Sequence, residues 1–258
     1  MKKKILLVGC GGIGFRHLQS LVLLKNYCNI DILEKKNINK SILDLIDSVK
    51  NLEIQYLNNI SSLKENYDLI IFATTSRVTY KILKDIIKNT STKKILFEKI
   101  TFSEPNHYPL VLNLLKKKNI KAWVNCSNRY REYVHFIKKN LKKNEKFFLL
   151  CEANNDYFVS NIVHFFDMFN FLSDQNTGNI ISSKFENLYK SKRSTYYDCE
   201  GFVIASNKKK NVFIYQSQVE KNSDLKILLN LSQKDNLLKI EINDKKIKIN
   251  NLKKKKIF

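Results

Sequence analysis

Residues 9 to 14 read Gly-Cys-Gly-Gly-Ile-Gly, and four of the chain's six glycines stand in this run, at 9, 11, 12 and 14. In a sequence so poor in glycine, that clustering needs a local cause. A strand-like run, Lys4 to Val8, precedes it, and Ile13, Leu18, Leu21, Val22 and Leu24 after it fall on one face of a helix over 13 to 24. A strand, a G-x-G-x-x-G turn and a helix in that order make a dinucleotide-binding fingerprint. Gly9 permits the tight turn, Gly11 lets the backbone approach a pyrophosphate, and Gly14 lets the helix pack close to the strand. The helix start, with Gly12 and Ile13, offers N–H groups and the positive end of the helix dipole to phosphates. An acid about 20 residues further on is expected to take the ribose hydroxyls, and Glu34 lies there. Lys35 and Lys36 follow and could accept a 2′-phosphate, so the reading favours NAD and leaves NADP open.

The rest of the first half repeats the alternation. Strands are expected at Ile30 to Leu33, Glu53 to Leu57, Asp68 to Ala73, Lys94 to Phe97 and Lys121 to Asn125, with helices over 41 to 49, 77 to 89 and 104 to 118. Leu69-Ile70-Ile71-Phe72 is apolar at every position, as a parallel strand covered on both faces must be. Past about residue 125 come helices over 131 to 142 and 161 to 173 around a strand at Lys146 to Ala153. Extended runs then follow one another at Phe202 to Ala205, Val212 to Val219, Leu225 to Leu231 and Leu237 to Ile242, which predicts an antiparallel sheet with one face covered. The expected fold is α/β: a doubly wound parallel Rossmann sheet in residues 1–125, then an open-faced, mainly antiparallel α+β domain in 126–258 for substrate and oligomer contacts. The lysine run from Lys253 to Lys256 reads as a solvated tail.

The formal charge of +22 invites a nucleic-acid reading, but only five of the basic residues are arginine (16, 77, 129, 131 and 193). Nucleic-acid sites cluster Arg for its bidentate fork, whereas these lysines are spread along the chain and coat a surface. Cysteines at 10, 28, 126, 151 and 199 form no C-x-x-C pair and no metal spacing, so no metal site is expected and a reduced, cytoplasmic setting fits best. The apolar run Ile5 to Val8 is too short for a signal segment, and no run suits a membrane span.

Several stretches resemble the glucose-fructose oxidoreductase and inositol dehydrogenase family (Gfo/Idh/MocA). These are Gly9-Cys-Gly-Gly-Ile-Gly-Phe-Arg-His17, Asp68-Leu-Ile-Ile-Phe-Ala-Thr-Thr-Ser76, Glu98-Lys99, Asn128-Arg129-Tyr130 and His164-Phe-Phe-Asp167. The resemblance implies an oxidoreductase of carbohydrate metabolism acting on a sugar or sugar nucleotide. It places Ala73, Thr74, Thr75, Glu98 and Lys99 against the cofactor, and Lys99, Asn128, Arg129, Asn161 and His164 against the substrate. Lys99 would polarise the reacting oxygen and His164 would act as general acid and base, a role suited to an imidazole titrating near neutrality. Basic residues such as Arg129, Arg131 and Lys138 could hold a diphosphate. The chain departs from the family pattern at Ile100, where Pro usually follows the lysine, so a trans Lys99–Ile100 bond is expected. Ser160 stands where many members carry an Asp four residues before the histidine, Ser76 replaces a common Pro, and Tyr80 a frequent His. These departures keep a second reading open: a catalytically weak dinucleotide-binding subunit or sensor. An apolar sheet face bearing Val212, Phe213 and Ile214 is expected to make a homo-oligomer, most simply a dimer.

Overall fold

In the computed structural model the described residues are 2–24, 26–35, 40–49, 52–142, 145–154, 157–175, 178–191, 196–219, 226–234, 236–243 and 247–253. They divide into two compact units, Met1–Asn125 and Cys126–Phe258. Lys36, Leu225 and the tail beyond Lys253 lie outside the described residues.

The first unit runs β1 (Lys3–Val8), α1 (Gly12–Val22), β2 (Cys28–Leu33), α2 (Lys40–Ser48), β3 (Ile54–Leu57), β4 (Asn66–Tyr67), β5 (Leu69–Phe72), α3 (Ser76–Asn89), β6 (Ser91–Thr92), β7 (Lys94–Phe97), α4 (His107–Lys117) and β8 (Lys121–Val124). Six of the strands form one parallel sheet in the order β3-β2-β1-β5-β7-β8, and the two-residue β4 and β6 pair separately. Because successive side chains alternate across a sheet, each apolar strand feeds two cores. Leu6, Val8, Ile70 and Phe72 pack with Leu83 and Ile86 of α3 and Val111 and Leu115 of α4. Leu7, Ile30, Ile32 and Ile71 pack with Leu18 and Leu21 of α1 and Ile42 of α2. Strand order reverses between β1 and β5, so the carboxyl ends of these strands open a crevice where doubly wound sheets take ligands. Helix α4 starts at His107, later than the expected 104, after a turn spanning Ser103 to Asn106.

The second unit continues with a 3-10 turn at Ser127–Tyr130, α5 (Glu132–Asn140), β9 (Phe148–Asn154), α6 (Phe158–Ser173), β10 (Gly178–Lys190), β11 (Tyr197–Asn207), β12 (Val212–Gln218), β13 (Lys226–Gln233), β14 (Asn236–Asn243) and β15 (Ile247–Lys253). Its sheet has the order β10-β11-β12-β9-β13-β14-β15 and is antiparallel except between β12 and β9. One face buries Leu149, Cys151, Val203, Ala205, Phe213, Tyr215, Leu229 and Ile240 with Phe165, Met168 and Phe169 of α6. The opposite face keeps partial exposure, as expected of an open-faced sheet.

Three expectations need correction here. Phe213 is fully buried in this core, so only Val212 and Ile214, one residue to either side, reach the open face; the period of two in a strand cannot put all three together. Strands β10 and β15 were not expected. β10 is an edge strand paired only with β11, exposed along nearly its whole length, and therefore free of the apolar alternation that marks half-buried strands. Helix α6 begins at Phe158 instead of 161, because the Asp198 carboxylate on β11 accepts the Val159 N–H at 2.8 Å. Among the described residues no helix is long and apolar enough to cross a membrane.

Candidate functional site

The glycine turn closes the carboxyl end of β1. Gly9 has φ +86°, a conformation glycine adopts without penalty, and a Cβ there would lie 3.0 Å from the Ala73 carbonyl oxygen and from Thr74 Cγ2. At Gly14 a Cβ would stand 2.1 Å from the Gly9 carbonyl oxygen, so helix and turn touch through backbone alone. Gly11 and Gly12 are the reverse: nothing lies within 4 Å of where their Cβ would be. Gly11 caps α1 with no side-chain hydrogen bond, and no acid stands in the first turn. The open side of the loop is thus bare backbone at a helix N-terminus, which fits a pyrophosphate. Ile13 is 40% exposed beside it.

Glu34, just past β2, accepts the Cys10 N–H on Oε2 at 2.9 Å, which fastens a carboxylate to the edge of the glycine loop. Lys35 is exposed. Burial, and after it the Glu34 charge, push the Cys10 thiol up to about 11. Ala73, Thr74 and Thr75 end β5 across the crevice; Ala73 donates its N–H to the Val8 carbonyl, and the Thr74 hydroxyl lies 2.8 Å from that of Thr79. These residues share one edge of the sheet because β1, β2 and β5 run parallel in register.

Glu98 and Lys99 end β7. The Glu98 carboxylate is held by His17 Nε2 at 2.7 Å, from α1, and by Asn125 Nδ2 at 2.7 Å, just past β8. Burial alone would raise its pKa, but the bonds from His17 and Asn125 and the N–H of Lys99 outweigh that and hold it below the usual carboxylate range. Glu98 therefore ties three elements together immediately before Lys99, and its carboxylate has inward partners. The Lys99–Ile100 peptide is cis, which corrects the expected trans bond. The isolated-peptide preference yields to surroundings that fix both sides: Thr101 Oγ1 donates to the Glu98 carbonyl at 3.2 Å, and Phe102 is buried against Phe97, Tyr80 and Tyr108.

In the second unit, Asn161 and His164 lie in the first half of α6, both half-buried, and Asn128 and Arg129 lie in the 3-10 turn. Arg129 is forked onto Asp167 of α6, Nε to Oδ2 at 2.7 Å and Nη2 to Oδ1, with its plane over Phe171. Lys138 donates to the last carbonyls of α6, Phe171 at 2.8 Å and Leu172 at 2.9 Å, and pairs with Asp174. Of the three cations expected to hold a diphosphate, these two are committed to α6, and Arg131 is exposed. A guanidinium within reach of a helix carboxylate and a lysine at a helix C-terminus find better partners inside the unit. Sequence reasoning missed Asp198, fully buried on β11, which binds Ser160 and the α6 N-terminus. Only its later position in the chain, 38 residues from Ser160, concealed it. Among the described residues no group of His, Cys, Asp and Glu is arranged to hold a metal ion.

No family model matches the sequence. No curated protein matches it either. Solved structures do. The dehydrogenase WlbA from Chromobacterium violaceum, in complex with NADH and UDP-GlcNAcA, is similar with a TM-score of 0.73 at 12% identity, over 98% of this chain and 78% of that one. UDP-N-acetylglucosamine 3-dehydrogenase GnnA from Acidithiobacillus ferrooxidans gives 0.70 at 9%, over 99% and 84%. The transcriptional regulator Gal80p from Kluyveromyces lactis gives 0.73 at 11%, over 100% and 79%. At such identities the likeness is one of fold: this chain has the fold that the dehydrogenases WlbA and GnnA and the regulator Gal80p share.

Proposed function

We propose that the chain is an NAD(P)-dependent oxidoreductase that moves hydride between nicotinamide and a hydroxyl or keto carbon of a sugar or nucleotide-activated sugar. The observation that carries the reading is the glycine turn, closed to any side chain at Gly14 and open at Gly11 and Gly12, on a helix N-terminus without a side-chain cap. The fold it shares with WlbA and GnnA supports the substrate class.

Gly9, Gly11, Gly12, Ile13 and Gly14 would hold the pyrophosphate, with Ala73, Thr74, Thr75 and Glu98 around the rest of the dinucleotide. Glu34 would take the ribose hydroxyls and, being a carboxylate, repel a 2′-phosphate, which favours NAD. Bound nicotinamide supplies the hydride chemistry. Lys99 donates a hydrogen bond to the reacting oxygen and steadies the negative charge that develops there. His164 takes the hydroxyl proton in oxidation and returns it in reduction, while Asn128 and Asn161 orient the sugar and Arg129, forked onto Asp167, fixes the turn that carries Asn128.

Titration with NADH and NADPH, followed by energy transfer from Trp123, is the first test; saturable binding lost in Gly11→Asp is expected. Turnover on a panel of UDP-sugars should then fall at least a hundredfold in Lys99→Met and in His164→Ala. Turnover unchanged in both variants overturns the roles, and a folded protein that binds neither cofactor overturns the whole reading. The likeness to the regulator Gal80p favours one second reading, a dinucleotide-binding sensor or subunit of a carbohydrate biosynthesis pathway; NADH binding with no turnover on any sugar would select it.

A further inference from the structure

Asp198 is a carboxylate with no exposed surface, and the proposed chemistry does not use it. Its Oδ1 accepts the N–H of Val159 at 2.8 Å and its own neighbour Cys199 at 3.0 Å. That single oxygen accounts for the capping of α6. The other, Oδ2, accepts the Ser160 hydroxyl at 3.2 Å. Ser160 and His164 are four residues apart on α6, hence stacked on one helix face about 5 to 6 Å apart at Cβ.

Opposite Asp198 on β10 stands Tyr189, whose hydroxyl is pushed up to about 12 by burial and then by the Asp198 carboxylate, and several other charged groups on elements packed against α6 have partners of their own. Asp167 is forked by Arg129, and Lys138 sits at the far end of the helix on the Phe171 and Leu172 carbonyls. Glu200 of β11 accepts from Asn187 and from the Val219 N–H. His135 meets the edge of Phe171, and Tyr215 is stacked on Phe165 in the core. Asp198 is thus the buried carboxyl group that reaches, through one hydroxyl, the first turn of α6, one turn before His164.

We propose that Asp198 is a positioning residue for His164, acting through Ser160: its buried charge favours the protonated imidazole, and the hydroxyl it orients fixes the approach to the ring. This rests on the reading of His164 as the acid-base group. In that reading the acid that Ser160 lacks in its own side chain comes from a neighbouring strand.

The test is the imidazole titration of His164 by NMR in full-length protein labelled at histidine, with His17, His107 and His135 as internal references. Asp198→Asn keeps a side-chain oxygen for the cap and removes the charge. It should lower the His164 midpoint by about one pH unit, the effect of a unit charge at this range in partly screened surroundings, and leave the three references in place. Adding Ser160→Asp to that variant should restore the midpoint. Ser160→Ala, which leaves the cap intact, should lower it by about half a unit, so the idea stays testable even if Asp198→Asn fails to fold. An unshifted His164 midpoint in folded Asp198→Asn, or in Ser160→Ala, overturns the proposal. The titration uses no cofactor or sugar, so its failure is distinct from failure of the oxidoreductase reading, which the turnover assays decide.

Discussion

Gly14→Ala isolates the contact that lets α1 rise directly from β1. The new methyl would sit 2.1 Å from the Gly9 carbonyl oxygen and 2.9 Å from its carbon, against a practical limit of 3.0 Å. Neither neighbour is a side chain that can swing away, so the helix must retreat from the turn by about 1 Å, against a core already closed by Leu18 and Leu21. Overpacking of this kind costs about 2 to 3 kcal/mol. For a unit of this size roughly 4 °C of Tm accompanies each kcal/mol, so melting should fall by about 8 to 12 °C. Trp123, the chain's one tryptophan, lies on β8 of the same unit, and its fluorescence reports this unit's unfolding. Gly12→Ala is the control: with nothing within 4 Å of its Cβ, it should melt within about 2 °C of the parent. A Gly14→Ala melt within 2 °C of the parent, or a Gly12→Ala melt that falls as far, would refute the steric argument.

Three further outcomes follow from the geometry. Glu98 has its pKa held below its ordinary 4.5 in the folded state, so its contribution to stability is full above that value and lost as pH falls through the folded pKa; the urea stability of Glu98→Gln should lie below the parent at pH 7, and the gap should close below about pH 4.5. A gap independent of pH would show that the ionised form is not what stabilises. Tyr67 donates its hydroxyl to Asp31 Oδ2 at 2.7 Å beneath Lys64, in a site where Asp31 is 2% exposed; Tyr67→Phe leaves that oxygen short of a donor and should cost about 1 to 3 kcal/mol in urea unfolding, and a neutral result would refute it. All five cysteines are buried and none is in a disulfide, with Cys10 pushed up to about 11, so a thiol reagent at pH 8 should modify none within minutes and all five after denaturation; one fast thiol in the native protein contradicts this.

Much of the first unit was legible before any coordinates. Apolar runs such as Leu69 to Phe72 stand out because a doubly covered strand must be apolar throughout, and glycines at 9 and 14 advertise a backbone contact that tolerates no side chain. The second unit was less legible. The exposed edge strand β10 has no buried face to write a pattern into its sequence, and α6 starts one turn early on a cap borrowed from β11. Arg129 and Lys138 carry a charge that could as well meet a ligand as a helix, and only their distances to α6 show the helix.

The sequence by itself determined the strand–turn–helix that begins the chain and the alternation that makes a parallel sheet, because these depend on local sterics and on short-range apolar period. It also named Lys99 and His164 as the groups to examine. Tertiary structure alone decided that β9 lies in the middle of its sheet between β12 and β13, that Glu98 is clasped by His17 and Asn125, and that a carboxylate from β11 stands behind Ser160. Those pairings join residues 27 to 81 positions apart, and no local period records which distant side chain will complete a hydrogen bond once the core has closed.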